Sequence, residues 1–440
     1  MAPARRAHLL PTPPCLPLGL LLLGACSASS TDTGHEQSRG PLDDDVLNAL
    51  DPTRIKEHVD LLASDDLAGR IPGSVGHELA RTYLEEQLAA VGLMPLGRPG
   101  RLGSDYVFPY PQGPSEDRFQ LEPDGSVVQN QVSTGFDLVG LLPGSDPELA
   151  DEYIVLMAHY DHLGVDEQGN AYNGAFDNAA AVGLSLELAR VLIEEDARPG
   201  RSIVFVLTDG EESGLRGSEA WLTDSTVDAE DIVFGLSLDP LGRRLLPDYD
   251  PIVLIGLERS PTLLDRFRQA AQWVNCDVHF INRDIVPVFS SDQDEFYTLD
   301  DPIGAGWLTN PGFSFYHTTE DTPDTIDYRQ MLENGRFVAQ VLADLGGDGE
   351  RYPYEGASEV GTQAALDAKG LLEGALTSDE LSGSERSQAE YYIENLDQVI
   401  EAGSSEVIDN AEALYFGATY FLLFQLGQAH PGEIPPPWPE

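Results

Sequence analysis

Apolar runs of strand length recur through the middle of this chain, and polar residues close them. Residues 153–158, 202–207, 232–238 and 252–255 are short runs rich in β-branched side chains. Segments with apolar residues at helical spacing separate them, as with Ala181, Leu184, Leu188 and Val191 after Asp177 and Asn178. That spacing predicts an amphipathic helix opened by Asp177 and Asn178. Strands alternating with helices predict an α/β fold, a mostly parallel mixed sheet with helices on both faces.

Upstream, residues 51–93 read as helical, with a break at 66–74 where Pro72 and Gly73 interrupt the pattern. Ser74 or His77 can start the next helix. Segments 106–111, 119–121, 127–132 and 136–142 read as strands, and the first three as an antiparallel edge of the same sheet. Beyond about residue 355 the pattern predicts two helices, 387–400 and 406–426, packed on the α/β domain, and an extended tail. The division expected is an α/β domain over 46–350 and a helical C-terminal extension over 351–440.

Composition narrows the partners. The formal charge of -50, from 75 acidic and 25 basic residues, argues against nucleic acid or an anionic membrane surface as a partner. At the N-terminus, Arg5 and Arg6 precede a short apolar run at 16–23. The following Leu23-Gly24-Ala25-Cys26 resembles the lipobox of bacterial lipoproteins. The resemblance implies a signal peptide over 1–26, cleavage before Cys26, and a membrane anchor through its lipidated thiol. The protein would then be extracytoplasmic and held to the cell envelope; an ordinary secretory signal is the alternative. Residues 27–45, rich in Ser, Thr, Gly and Asp, read as a flexible tether. With Cys15 and Cys26 set aside, Cys276 alone is left, so no intrachain disulfide is expected. Oligomeric state is not legible.

Five features stand out, His159 with Asp161, Asp177, the pair Glu211 and Glu212, Asp239, and His317, and four of them fall just after a predicted strand or at a strand-to-helix turn. Each has an ordinary explanation, since an Asp at a helix start is usually a cap and an Asp after a strand usually makes a turn. Together, two imidazoles and several carboxylates at one sheet edge form the donor set of two divalent cations, with one carboxylate bridging. The charges also balance. Two dications carry four positive charges, Asp177, Asp239 and one Glu supply three negatives, and a hydroxide would supply the fourth. The second Glu is left to act as a base.

The motifs HYDHLG at 159–164, GAFDN at 174–178, GEESGLRGS at 210–218, LDPLGR at 238–243 and FYHTTEDTPDTID at 315–327 resemble the co-catalytic di-zinc aminopeptidases. That group also includes relatives of glutamate carboxypeptidase and glutaminyl cyclase. The resemblance implies two zinc ions, one held by His159 and Asp239, the other by Glu212 and His317, with Asp177 bridging. It implies Glu211 as general base and Asp161 as the carboxylate that orients His159. The implied activity is hydrolysis of peptide substrates by an exopeptidase that releases N-terminal amino acids. Carboxypeptidase, cyclase and a non-catalytic peptide-binding lipoprotein are the alternatives. Phe176 and the Ala179-Ala180-Ala181 run depart from the family pattern near Asp177. The segment 290–296 resembles a substrate-side loop and reads equally as an acidic surface loop.

Overall fold

The structure, a computed structural model, describes residues 40–98, 105–113, 118–132, 134–286, 290–356, 362–402 and 411–430. The lipobox segment, the tether up to residue 39, the start of the second C-terminal helix expected at 406–410 and the tail from 431 lie outside the described residues.

The chain opens with α1 (Asp44–Asn48), α2 (Pro52–Leu62) and α3 (Val75–Val91). Asp51 caps α2 by accepting from Thr53 N, with Pro52 at its first position, and Ser74 caps α3 by accepting from His77 N. Next come β1 (Met94–Pro95), β2 (Val107–Pro111), β3 (Phe119–Leu121), β4 (Val127–Gln129), β5 (Thr134–Leu142) and β6 (Tyr153–His159). The α/β alternation follows with α4 (Ala180–Glu194), β7 (Ser202–Thr208), α5 (Arg216–Thr223), β8 (Ile232–Leu238) and β9 (Ile252–Ile255). It continues through α6 (Pro261–Ala270), β10 (Val278–Ile281), β11 (Ala305–Thr309) and α7 (Tyr328–Gly347). Then come α8 (Thr362–Leu376), α9 (Gly383–Ala402) and α10 (Ala411–Tyr420), the last continued by a π-helical turn at Phe421–Leu426 and a short helix at Gly427–Ala429.

One mixed sheet runs β1-β5-β7-β6-β8-β11-β9-β10, with β2 also on β5. Strands β7, β6, β8 and β11 are mutually parallel, while β5 pairs antiparallel with β7, and β9 antiparallel with β11. The parallel strands are buried on both faces, so they read as unbroken apolar runs. Ile154, Leu156 and Ala158 of β6 join a core with α4 and α7, whereas Val155 and Met157 join Trp221, Leu222 and Phe296 on the other face. Gly235 in β8 is required there, because a Cβ would lie 2.3 Å from the Phe296 ring.

Four expectations are corrected. The pair β3 and β4 forms its own two-stranded ribbon and is not part of the sheet edge, which β1 and β2 make instead. Helix α4 starts at Ala180, after Asp177 and Asn178, and Ala180 to Ala189 are buried on every side, Glu187 included. It is a core helix rather than an amphipathic one, lying between the sheet, α2, α3 and α7. Glu187 tolerates this because it pairs with Arg190 at 2.6 Å and accepts Asp51 N at 2.7 Å. The C-terminal region contains an additional helix, α8, which packs on β10 and carries α9 and α10. Finally, Ser291, Asp292 and Gln293 are fully buried, so 290–296 is no surface loop.

Strand β6 has β7 on one side and β8 on the other. The chain goes from β6 to β7 on one flank, then returns to β8 on the other. Strand order therefore reverses at β6, and the carboxyl ends of strands at such a reversal are where open α/β sheets bind ligands.

Candidate metal centre

His159 is the last residue of β6, and Asp239 follows β8, its N–H donating to Leu308 O at 2.9 Å to prolong the pairing with β11. Strand geometry alone therefore sets the two side chains at one edge, with His159 Nε2 3.3 Å from Asp239 Oδ1. Ser291 Oγ donates to the other oxygen, Asp239 Oδ2, at 2.6 Å. The 290–296 segment thus holds Asp239 in place, a role its sequence did not announce.

Asp177 lies before α4, on a backbone outside helical angles and with a cis peptide to Asn178. What fixes it is Asp321, whose carboxylate accepts Phe176 N at 2.8 Å and Asp177 N at 3.1 Å. Burial, with the charge of Asp177 added, raises the Asp321 carboxyl to about 7 against the pull of Phe176 N. Asn178 Nδ2 donates to Leu238 O at 2.8 Å and ties the segment to the end of β8. Glu211 and Glu212 follow β7 through Gly210, whose φ of 70° suits glycine. Beneath them the Asp209 carboxylate accepts Phe136 N at 2.8 Å and lies 3.0 Å from His77 Nε2. His317 stands at φ 57°, a left-handed conformation rare for a non-glycine residue and typical of functional sites.

These elements bring all five expected ligands together around Asp177. Its Oδ1 lies 3.0 Å from His159 Nε2, and its Oδ2 lies 3.1 Å from His317 Nε2. His317 Nε2 is also 3.3 Å from Glu212 Oε2. Donors about 2.0–2.1 Å from a tetrahedral zinc stand about 3.3 Å from one another. The His159 contacts to Asp177 and Asp239 and the His317 contacts to Asp177 and Glu212 match that spacing, one pair on each oxygen of Asp177, and His162 with Asp177 and Glu212 forms a further group close enough to hold an ion. Asp177 Oδ2 and His317 Nε2 are buried polar atoms with no hydrogen-bond partner, as unfilled ligand positions would be. The donor set fits divalent metal ions.

Burial opposes charge on His159, but Asp239, Asp161 and Asp177 outweigh it and hold the imidazole well above its usual range. Burial likewise opposes charge on His317, yet Glu212 and Asp177 raise it to about 10. Burial and Asp177 push Glu212 up, while His317 and His162 outweigh them and bring it to about 2. Glu211 is driven well above the carboxylate range by burial, which His159 opposes and the charges of Asp239 and Glu212 reinforce. Cations among these carboxylates would relieve that repulsion and free Glu211 to accept a proton.

Asp161 is fully buried, and its carboxylate does two things. Oδ1 is 3.6 Å from His159 Nδ1 and accepts Glu211 N at 3.2 Å; the backbone oxygen of Asp161, at 3.3 Å, is the nearer partner of that ring nitrogen. Nδ1 therefore faces oxygen, which leaves Nε2 toward Asp177 and Asp239. Behind the cluster sits Arg70, fully buried. Its guanidinium donates to Tyr160 O at 2.9 Å, Leu62 O at 2.6 Å, Asn173 O at 2.5 Å and Gly174 O at 3.1 Å. It ties the turn beside His159 to the loop that leads to Asp177. Nothing in the sequence marked Arg70 beyond its place in a helix break. Two further residues at the centre carried no role in the sequence reading, His162 beside Glu212 and Tyr316, whose ring stacks on His317 at 3.8 Å.

Residues 137–342 match Peptidase family M28. A probable zinc metalloprotease of Pyricularia oryzae is 31% identical over 180 residues, covering 39% of this chain and 32% of that protein. The chain matches less than a third of the length of such curated relatives. Among solved structures, an aminopeptidase from Aneurinibacillus sp. strain AM-1 superposes with a TM-score of 0.53 at 16% identity, over 70% of this chain and 98% of that one. A glutaminyl cyclase from Porphyromonas gingivalis gives 0.51 at 19% identity, over 68% and 99%. The resemblance read from the motifs, the α/β fold and the class of zinc metallopeptidase agree with these matches.

Proposed function

We propose that this chain is a two-metal exopeptidase that releases N-terminal amino acids from peptides, and that it works from a lipid anchor at Cys26 outside the cytoplasm. The observation that carries the two-metal part is Asp177, whose two oxygens each face a different donor set at 3.0 and 3.1 Å. A cyclase or any one-metal enzyme needs only one such set. His159, Asp177 and Asp239 would hold the inner ion, and Asp177, Glu212 and His317 the outer one, where His317 keeps 32% side-chain exposure. When bound, the ions supply Lewis acidity that polarises the scissile carbonyl and makes water a better nucleophile.

Glu211 takes the proton from the attacking water as the new C–O bond forms. It then gives that proton to the nitrogen as the C–N bond breaks, so the amine leaves neutral. Asp161 keeps the base placed by accepting Glu211 N, and Asp239 is kept from rotating by Ser291. The acidic surroundings favour a free, cationic N-terminus over a carboxylate at the cleft, which supports the aminopeptidase choice.

The test is metal content by mass spectrometry together with hydrolysis of aminoacyl, N-blocked and C-terminally amidated peptides, with and without chelator. Two ions per chain and chelator-sensitive release of N-terminal residues are expected. Cleavage confined to N-blocked substrates would replace the aminopeptidase by a carboxypeptidase, and cyclisation of N-terminal glutamine would point to a cyclase.

A further inference from the structure

The second histidine of HYDHLG has no part in the ligand set above, yet its surroundings are built around the outer site. His162 is fully buried, with Nδ1 2.7 Å from Glu212 Oε1. Nε2 is also buried and meets no hydrogen-bond partner, so the ring proton belongs on Nδ1, where it has an acceptor. The ring is held from two sides. His162 N donates to Arg70 O at 3.3 Å, and Gly174, at φ 62°, leaves the ring its space. A Cβ on Gly174 would lie 2.6 Å from the imidazole.

Distances separate a supporting role from ligation. Donors sharing a tetrahedral ion stand about 3.3 Å apart. His162 Nδ1 is nearer than that to Glu212 Oε1 and, at 3.8 Å, farther than that from Asp177 Oδ2. His162, Asp177 and Glu212 lie close enough together to share an ion, but the short Nδ1–Oε1 contact and the long one to Asp177 Oδ2 favour a hydrogen bond over ligation. Meanwhile Glu212 Oε2 is the oxygen that approaches His317.

We propose that His162 is a positioning residue for the outer metal site: its Nδ1–H occupies Glu212 Oε1, so that Glu212 presents Oε2 alone to the ion. The inference rests on the two-ion reading above. Neutral imidazole is suited to this, because it fixes the carboxylate without adding charge beside a cation. Removing such a supporting hydrogen bond typically costs about 10–100-fold in metal affinity. The cost falls on the outer ion, since His162 touches no ligand held only by the inner one.

The test uses the whole chain stripped of metal and titrated with zinc against a chromophoric chelator. His162→Phe keeps the volume but not the donor, and His162→Asn returns an N–H near the position of Nδ1. Expected is one unchanged and one 10–100-fold weaker zinc site in His162→Phe, with recovery of most of that loss in His162→Asn. Thermal melts of the metal-free variants check that each is folded; if His162→Phe is not, the comparison of His162→Asn with a Gln variant, whose N–H falls at the Nε2 position, takes its place, and only Asn should keep the outer site. Two unchanged zinc sites in a variant without the Nδ1 donor overturn the proposal. Equal loss in the Phe and Asn variants also overturns it, by making the imidazole itself a ligand. A wild-type protein that takes up fewer than two ions would remove the two-ion reading instead.

Discussion

Replacing Arg70 with Met should destabilise the protein by about 4–5 kcal/mol, although Arg70 contacts no metal ligand side chain. Its guanidinium is fully buried and serves four main-chain carbonyls, at Leu62, Tyr160, Asn173 and Gly174. Gly174 O keeps Ala179 N at 3.2 Å, so three carbonyls are left buried and unpaired, at about 1–3 kcal/mol each, or about 3–9 kcal/mol. Met fills most of the volume and relieves the burial of a charge, which favours the lower half. That burial is severe enough to pull the guanidinium down to about 10 against the raising fields of Asp321, Asp161, Asp177 and Glu212. Unfolding entropy near the midpoint is about 2.1 cal/mol/K per residue, or about 0.8 kcal/mol/K for roughly 400 residues. The expected fall in Tm is therefore about 5–6 °C by calorimetry on metal-free protein. Arg70→Lys keeps the charge but places its donors on one nitrogen, and should recover less than half of the loss. A fall under about 1 °C in Arg70→Met would refute the reasoning, because it would mean that the carbonyls of Leu62, Tyr160 and Asn173 find other partners.

Three other outcomes are expected. Glu211→Gln should retain both ions while kcat/KM falls by about 10²-fold or more, as loss of a general base requires; near-normal turnover with intact metal content would remove the role. Asp177→Ala should strip both ions at once, and retention of either, measured by mass spectrometry, would sink the bridging assignment. His279 is lowered to about 4, by burial against the opposing charge of Asp277, and hydrogen-bonds Tyr249 Oη at 3.0 Å beneath α8. Its folded value lies below the unfolded 6.5, so its share of stability is full above pH 6.5 and is lost as the pH falls toward 4. Thermal melts of His279→Gln should therefore decline less steeply over that window than those of the wild type; parallel declines would contradict it.

Strands β6, β7, β8 and β9 were legible because strands buried on both faces must be continuous apolar runs, and the polar residue that ends each run marks the edge of the sheet. His159 and Asp239 were therefore placed by local pattern alone. Strand β11 was missed: its five residues include Gly306, where a Cβ would lie 2.7 Å from Leu257, so packing rather than periodicity selects its composition. The sidedness of α4 was misread for a related reason, since a helix enclosed by the sheet and three other helices has no polar face to set its period. Residue types at strand ends and their order along the chain determined the donor set and the parallel α/β plan. Tertiary structure alone decided how the donors are held. Asp321 reaches back to the backbone of Asp177, Ser291 steadies Asp239, Arg70 joins two loops, and His162 faces Glu212. Such contacts join residues 50 to 144 positions apart, and local propensity carries no trace of them because a hydrogen bond depends on where two segments meet in space.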